Sequence, residues 1–253
     1  MTRVVVVGIG GRMGEALLRL APEEGVRIVA GVSRRGAPAL APELPVTASI
    51  AEALGHPADA VIDFSSPAAC VEALREAVRR GLPFVSGTTG LGEAEFSALE
   101  EAARRIPVLH APNMSVGIQL LLWLVEEAAK TLGPAFDVEI TEVHHRHKKD
   151  APSGTALRLA ETVARALGRD LAQSARTGRE GMAGPRTAEE IGILALRGGD
   201  VIGEHTVHFF GEGERIELTH RASNRGAFAA GALRAAKWIV GKPPGLYGMR
   251  DVL

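Results

Sequence analysis

The feature that most constrains the fold of this chain is a glycine-rich turn that follows an apolar run at its N-terminus. The run Val4–Val7 is β-branched throughout, which is typical of a strand covered on both faces. A helical pattern then extends from Gly14 to Leu20, and the turn between the two reads Gly8-Ile9-Gly10-Gly11-Arg12-Met13-Gly14. Such a strand, turn and helix let backbone N–H groups approach a diphosphate, so they predict a dinucleotide site. The spacing departs from the strict G-x-G-x-x-G fingerprint, and a purely structural glycine turn stays open as the alternative.

Strand and helix patterns alternate in the first part of the chain, up to Ala111. Ser66 and Pro67 have the residue types of an N-cap and a first helical position, and Gly81 that of a C-terminal cap. An alternating order of strands and helices predicts a parallel sheet with right-handed crossovers. The predicted strands after the first are Arg27–Val32, Ala60–Asp63, Pro83–Ser86 and Val108–Ala111, and the predicted helices are Pro67–Arg80 and Glu93–Arg105.

The pattern changes in the second part of the chain, where strands follow one another without intervening helices. Residues 173–190 show no clear period and are predicted to form a mobile loop. We therefore predict an α/β protein with a dinucleotide-binding domain of residues 1–114 plus 224–253. Residues 115–223 would form a second, α+β domain with a largely antiparallel sheet. Its predicted helices are Ser115–Thr131 and Thr155–Leu167, its strands are Phe136–Val143, Ile193–Arg197, Val201–Phe209 and Arg215–Arg221, and a last helix, Gly226–Val240, returns to the first domain.

The residues after the second strand indicate which dinucleotide binds. In NAD-binding proteins, an acidic residue at this point accepts hydrogen bonds from the ribose hydroxyls. Here the sequence reads Ser33-Arg34-Arg35 instead. A guanidinium suits a 2′-phosphate, so we predict a preference for NADPH over NADH, with Arg34 as the first candidate contact. The alternative is that both arginines are solvated loop residues. Two further loops lie at carboxyl ends of strands, although each alone could be a plain turn: Gly87-Thr88-Thr89-Gly90 and Ala111-Pro112-Asn113-Met114.

A second candidate site is an unbroken basic run, His144–Lys149, which joins a strand to a helix. Ser153 is a natural N-cap, so Gly154 and Thr155 would offer backbone N–H groups to a carboxylate. Cationic side chains beside such a helix end indicate an anionic substrate with more than one carboxylate. Three alternatives stay open: a metal site built from the histidines, a solvated surface run, and a nucleic-acid contact. No acidic ligand stands within the run, however, and no aromatic residue interleaves.

The bulk composition narrows the class of protein. A net charge of −1 over 253 residues does not indicate a nucleic-acid partner. The single cysteine, Cys70, allows no intrachain disulfide and fits a reducing compartment. The N-terminal apolar run is too short for a signal peptide, and no stretch reaches the ~18 apolar residues of a membrane span. The sequence therefore predicts a cytoplasmic protein without a membrane partner.

Six motifs together give the chain a family resemblance that covers essentially its whole length. The chain resembles the 4-hydroxy-tetrahydrodipicolinate reductases, formerly called dihydrodipicolinate reductases. The basic run followed by Ser-Gly-Thr is the most specific of the motifs. In this sequence they are Gly8–Gly14, Gly87–Gly90, Ala111–Gly117, His144–Lys148 with Asp150–Thr155, Gly203–Thr206 and Met249–Val252.

The resemblance implies a Rossmann-like N-terminal domain and a substrate domain whose sheets assemble a homotetramer. It also implies that NADPH or NADH reduces a cyclic dicarboxylate, made from pyruvate and aspartate semialdehyde, on the diaminopimelate route to lysine. No metal is implied. Some family members carry an acidic residue where Ser33 stands, and its loss here favours NADPH. Two rival classes are a different Rossmann oxidoreductase and a nucleotide-sensing regulator without catalysis.

The resemblance also implies roles for individual residues. His144 would be the proton donor and Lys148 a second catalytic donor. His145 would contact one substrate carboxylate, and the helix start at Ser153, Gly154 and Thr155 would bind another. The cofactor would contact Gly8, Ile9, Gly10, Gly11, Arg12, Met13, Gly87, Thr88, Thr89, Ala111, Pro112, Asn113 and Met114, in addition to Arg34, which is predicted from the residues after the second strand.

Overall fold

A computed structural model describes all 253 residues, which form two compact units. The first unit comprises Met1–Val116 and Arg225–Leu253, and the second comprises Gly117–Asn224. In chain order the elements are β1 (Thr2–Val7), α1 (Arg12–Leu20), β2 (Val26–Val32), β3 (Val46–Thr47), α2 (Ile50–Ala53), β4 (Ala60–Asp63), α3 (Pro67–Arg80), β5 (Phe84–Ser86), α4 (Glu93–Ala103), β6 (Pro107–His110), α5 (Val116–Leu132), β7 (Asp137–His144), α6 (Gly154–Ala166), α7 (Leu171–Ser174), β8 (Ala175–Arg176), β9 (Ile191–Arg197), β10 (Gly203–Phe210), β11 (Arg215–Ala222), α8 (Gly226–Ile239) and β12 (Gly245–Tyr247).

The first unit is built on a seven-stranded sheet in the order β12-β6-β5-β4-β1-β2-β3, and all its strand pairs are parallel. The predicted parallel sheet of a Rossmann-like unit is thus confirmed. Because the strands share one direction, the loops after β1, β4, β5 and β6 leave the sheet at the same edge. The glycine turn and both of the other loops predicted to bind the cofactor, those after β5 and β6, lie at this edge.

Helices cover both faces of this sheet, as the valine run predicted. Side chains alternate along β1, so Val4 and Val6 join the core under α1 and α8. Val5 and Val7 join the opposite core, under α2, α3 and α4. All four valines are at most 1% exposed, and the strand can therefore be apolar along its whole length.

The second unit is built on a five-stranded sheet in the order β11-β10-β7-β9-β8. The prediction of a largely antiparallel sheet is wrong, because β7 pairs parallel with β9, and β9 pairs parallel with β8. Only the pairs of β10 with β7 and with β11 are antiparallel. Helices α5 and α6 pack on one face of the sheet around a core that includes Ile140, Leu159 and Phe209.

The segment predicted as a mobile loop, residues 173–190, is partly regular. Its first residues belong to α7 and β8, whereas residues 177–190 form no helix or strand. Side chains nevertheless fasten this irregular stretch to the sheet. Arg179 pairs with Glu139 and Glu190, and Arg186 pairs with Asp137 and Glu139.

The remaining differences from the predicted elements are small. The sequence analysis missed the short elements β3, α2 and β12, which have two to four residues and no measurable period. The helix predicted to end at Arg105 ends at Ala103. Gly81 caps α3 with φ +66°, as predicted, and Ser153 caps α6. No helix has both the length and the apolar character needed to cross a membrane.

Candidate active site

The glycine turn after β1 is sterically fixed. Gly8 has φ +87°, and a Cβ there would lie 2.3 Å from the carbonyl oxygen of Phe64. A Cβ on Gly14, in the first turn of α1, would lie 2.0 Å from the carbonyl oxygen of Ile9. Because any side chain at either position would collide with backbone, the turn can only be this tight with glycine. The turn thus leads straight into α1, so that backbone N–H groups at the N-terminus of this helix are available to bind a diphosphate.

A cavity of about 600 Å³ adjoins this turn. One wall is formed by Gly8, Gly10 and Gly11, and another by the residues that follow β2, Ser33 to Arg35. The Ser33 hydroxyl accepts a hydrogen bond from the backbone N–H of Arg35 at 3.0 Å, which fixes the bend of this segment. The cavity thus brings together the predicted diphosphate turn and Arg34.

The third wall of the cavity was not predicted. It is formed by Phe64, Ser65 and Ser66 after β4, together with the start of α3. The signal was present in the sequence, because the Ser66-Pro67 helix start follows the carboxyl end of a buried strand.

The other predicted cofactor residues do not line this cavity. The side chains of Ile9 and Met114 are buried in the core, so only their backbone could meet a ligand. Met13 also packs against that core, whereas Arg12 is exposed at the first position of α1. The remaining predicted residues lie in the loops after β5 and β6, namely Gly87, Thr88, Thr89, Ala111, Pro112 and Asn113.

A buried carboxylate at the end of β4 organises the loop after β5. Asp63 is fully buried and accepts hydrogen bonds from the hydroxyls of Ser86 at 2.8 Å and Thr88 at 2.7 Å, and from Ser65. The Thr88 hydroxyl in turn accepts the backbone N–H of Ser65 at 2.9 Å. No cation pairs with this carboxylate, so hydroxyl donors replace its lost hydration. Asp63 was not predicted, because Ser86 and Thr88 are 23 and 25 residues away in sequence.

In the second unit, the basic run begins beside another buried carboxylate, that of Glu142 on β7. Glu142 is fully buried, and its oxygen lies 2.5 Å from Nδ1 of His144. The same carboxylate accepts hydrogen bonds from both terminal nitrogens of Arg197, each at 2.8 Å, and from the backbone N–H of Ser153 at 2.9 Å. Burial raises the pKa of Glu142, but the Arg197, His144 and Ser153 hydrogen bonds outweigh it, so the pKa lies below its usual value. Glu142 is therefore ionised at neutral pH.

Two histidine rings meet at this point. Burial lowers the pKa of His144, and the Glu142 carboxylate offsets that effect only in part. The ring of His205 lies edge-on to the ring of His144, with 5.2 Å between their centroids. Burial lowers the pKa of His205 to about 4, so this ring is neutral at physiological pH.

The rest of the basic run has different partners. The Lys148 ammonium is paired with the Asp150 carboxylate at 2.8 Å. The Nδ1 atom of His145 is buried without a hydrogen-bond partner. Ser153 caps α6 by accepting the N–H of Ala156 at 3.2 Å, so Gly154 and Thr155 are the first residues of that helix, as predicted. No group of three or more His, Cys, Asp or Glu side chains is placed to hold a metal ion.

Family models match both halves of the chain. Residues 2–114 match the model described as dihydrodipicolinate reductase, N-terminus, and residues 117–253 match the one described as dihydrodipicolinate reductase, C-terminus. The chain belongs to the dihydrodipicolinate reductase family. The predicted family membership is thus confirmed, over both of its units.

Curated relatives support membership of the dihydrodipicolinate reductase family along the full length. The 4-hydroxy-tetrahydrodipicolinate reductase of Myxococcus xanthus (strain DK1622) is 50% identical over 266 residues, which cover 100% of this chain and 98% of that protein. The enzyme of the same name from Halorhodospira halophila (strain DSM 244 / SL1) is 50% identical over 259 residues, covering 98% and 97%.

One solved dihydrodipicolinate reductase resembles the whole chain. The dipicolinate-bound dihydrodipicolinate reductase from Paenisporosarcina sp. TG-14 is 26% identical with a TM-score of 0.80, covering 100% of both chains. The WlbA (WbpB) dehydrogenase from Thermus thermophilus, in complex with NAD and UDP-GlcNAcA, is 17% identical with a TM-score of 0.55, covering 97% of both chains. At that identity the second likeness shows the fold alone.

Proposed function

We propose that this chain reduces the ring of 4-hydroxy-tetrahydrodipicolinate with a nicotinamide dinucleotide, on the diaminopimelate route to lysine. The observation that carries the proposal is the full-length identity of 50% to reductases of that name. Both units take part: the first would bind the cofactor and the second the dicarboxylate.

The first unit has the features that a dinucleotide needs. Backbone of the turn from Gly8 to Gly11 would hold the diphosphate at the N-terminus of α1, and a Cβ on Gly8 would collide with the Phe64 backbone and prevent this turn. The loop ordered by Asp63 would contact the nicotinamide end through Gly87 to Thr89, together with the loop Ala111 to Met114. When bound, the reduced nicotinamide supplies a hydride.

The second unit has the features that a doubly negative ring needs. The backbone N–H groups of Gly154 and Thr155, at the start of α6, would hold one carboxylate. The buried Nδ1 of His145 and the ammonium of Lys148 would hold the other, with Lys148 exchanging Asp150 for the substrate. His144 would deliver a proton to the ring, and Lys148 would stabilise the developing negative charge.

The first unit also supports a preference for NADPH over NADH. Arg34 lines the cavity beside the glycine turn, and no acidic residue stands at the end of β2 to grip ribose hydroxyls. A guanidinium can bind a 2′-phosphate through two hydrogen bonds. We therefore propose NADPH as the preferred cofactor and NADH as a usable second one.

The second unit supports self-association. Helices cover one face of its sheet, whereas the opposite face exposes Leu196 (51%) and Phe210 (38%). We propose that this face binds other copies of the chain and assembles the homotetramer that the family resemblance implies. Sedimentation equilibrium tests this: four chains of 26.6 kDa support the tetramer, and a monomer contradicts it.

A coupled assay tests the proposed reaction. Pyruvate, aspartate semialdehyde and the preceding synthase would generate the substrate, and absorbance of the reduced nicotinamide would be followed after this chain is added. We expect oxidation of NADPH that depends on all components. A different Rossmann oxidoreductase would leave NADPH unconsumed, and a nucleotide-sensing regulator would bind NADPH without turnover; either result would contradict the proposal.

A further inference from the structure

One side chain outside the proposed catalytic set connects three parts of the second unit around His144. The buried carboxylate of Glu142 contacts His144, Arg197 and the backbone N–H of Ser153. These partners belong to three places in the second unit: the end of β7, the end of β9 and the start of α6. Neither Glu142 nor Arg197 was predicted as a site residue, from the basic run or from the family resemblance.

We infer that Glu142 is the positioning residue for proton delivery by His144, because it fixes which ring nitrogen is turned to the substrate and holds the start of α6 in register with that ring. The inference rests on the proposed function, in which His144 gives the proton and α6 binds a carboxylate. Glu142 acts only through other residues, since it is fully buried and its oxygens are already occupied.

Arg197 keeps the buried Glu142 side chain charged. An isolated buried carboxylate would take up a proton, but Arg197 meets both oxygens of this one at 2.8 Å. Arg197 is itself anchored, because it also donates to the backbone oxygen of Asp150 at 2.8 Å. The carboxylate therefore stays ionised and can only accept hydrogen bonds.

The charge of Glu142 determines which nitrogen of the His144 ring carries the hydrogen. An ionised carboxylate 2.5 Å from Nδ1 requires that Nδ1 carry a hydrogen, so a neutral His144 has its lone pair on Nε2. Nε2 is then the atom that gains and gives the catalytic proton. Gly203 lies beside Nε2, and a Cβ there would come 3.1 Å from this nitrogen, so glycine leaves room for the ring in this orientation.

The charges around the ring of His144 act in opposite directions. Burial, Lys148 and Arg197 lower the pKa of His144, whereas the hydrogen bond and the charge of Glu142 raise it. His205 and His220 face the same cluster from β10 and β11, and His205 is neutral at physiological pH. Loss of the Glu142 charge would therefore remove its stabilisation of the imidazolium while Lys148, which is paired with Asp150, and Arg197 remain, so the pKa of His144 would fall further.

Glu142 also holds the start of α6. The helix begins at Gly154, and Glu142 accepts the N–H of the capping residue, Ser153. The same carboxylate thus sets the distance between the ring that gives the proton and the helix end that binds the substrate. Both turnover and substrate KM should depend on Glu142.

Nuclear magnetic resonance of histidine ring nitrogens tests the inference without relying on activity. In the wild-type chain, with His144 assigned from the spectrum that His144→Gln lacks, we expect the neutral ring to carry its hydrogen on Nδ1. A neutral ring with its hydrogen on Nε2 would overturn the inference, whatever any variant does. This measurement does not depend on catalytic activity. A failure of the inference about Glu142 can therefore be distinguished from a failure of the proposed reaction.

Glu142→Gln and Glu139→Gln form a matched pair. Both remove a charge from an arginine-paired carboxylate on β7, but Glu139 pairs with Arg179 and Arg186 and touches no histidine of the cluster. For Glu142→Gln we expect the His144 pKa to fall by about one unit or more and kcat to fall roughly tenfold, with NADPH affinity within about twofold of wild type. Because His144 must be protonated to act, the decline of kcat/KM with rising pH should move to lower pH.

The two variants also separate a positioning role from a structural one. Glu139→Gln should leave the His144 pKa and kcat unchanged. If Glu142→Gln folds and keeps the wild-type His144 pKa and pH profile, the inference is wrong. Equal losses in the two variants would likewise contradict it, because general destabilisation of β7 would then explain both. If Glu142→Gln does not fold, the wild-type ring spectrum alone decides.

Discussion

The carboxylate of Glu139 occupies the space beside Gly192 in which a side chain would lie. The two residues are partners in the parallel register of β7 and β9, and a Cβ on Gly192 would come 1.8 Å from the Glu139 carboxylate oxygen. In that position Glu139 accepts hydrogen bonds from Arg179 at 2.8 Å and Arg186 at 3.1 Å. The absence of a side chain at Gly192 thus makes room for the Glu139 carboxylate, which holds residues 177–190 through the two arginines.

Gly192→Ala should therefore loosen the irregular segment without unfolding the sheet. The new methyl group would displace the carboxylate and weaken both arginine pairs. Trypsin should then cleave the native protein after Arg179 and Arg186 roughly fivefold faster, which corresponds to about 1 kcal/mol of lost ion-pair stabilisation. Gly198→Ala is the control, because a Cβ there meets nothing within 4 Å. Equal cleavage rates in the two variants, measured by mass spectrometry, would contradict the anchoring role.

This anchor shows which features the sequence could and could not predict. The glycine turn, the parallel sheet of the first unit and the Ser153 cap were predicted, because each depends on residues close together in sequence. Contacts such as Arg197 with Glu142, 55 residues apart, depend on strand register and on side-chain reach. Both buried carboxylates, Asp63 and Glu142, were missed for this reason.

The wrong sheet prediction has a different cause. The helix predicted at Thr155–Leu167 lies between β7 and β9, and strands joined through a helix are normally parallel. The turns after β9 and β10 have the composition of hairpin turns, but only the turn after β10 joins strands that pair with each other. Short elements such as β8 and β12 could not be predicted, because two or three residues define no period.

His205 should make the stability of the protein depend on pH. Its Nε2 lies 3.1 Å from the Ser153 hydroxyl, and burial lowers its pKa to about 4 from the usual 6.5. Below pH 6.5 the unfolded chain therefore binds a proton that the folded chain does not, and stability falls as the pH drops toward 4. At pH 5 the loss from this ring should be about 2 kcal/mol.

Urea unfolding at pH 8 and pH 5 measures this effect. We expect His205→Gln, which cannot be protonated, to lose roughly 2 kcal/mol less than wild type between the two conditions. His147→Gln is the matched control, since His147 is exposed, and it should follow the wild-type dependence. Parallel pH dependence in wild type and His205→Gln would show that the buried ring is not the cause.

Cofactor preference should depend on Arg34. Arg34→Ala removes a guanidinium from the cavity wall beside the glycine turn, so NADPH should bind roughly tenfold more weakly. The affinity for NADH, which has no 2′-phosphate, should stay within about twofold. Fluorescence titration with each nucleotide measures both affinities. Arg27→Ala is the control variant, because Arg27 is an exposed residue of β2 outside the cavity. If Arg35→Ala shows the loss instead, the contact is misassigned; if neither does, the preference for NADPH has another origin.

Turnover should depend on His144 while nucleotide binding does not. His144→Gln keeps a side chain that can hydrogen-bond to Glu142 but cannot deliver a proton near neutral pH. General acid catalysis is worth ~10²–10⁴-fold, so kcat should fall by at least ~10². NADPH affinity should not change, because the glycine turn belongs to the other compact unit. His147→Gln removes an exposed ring from the same basic run and should keep wild-type turnover. Near-native kcat in His144→Gln would reassign the proton to Lys148, whose pairing with Asp150 would then be the contact to disrupt next.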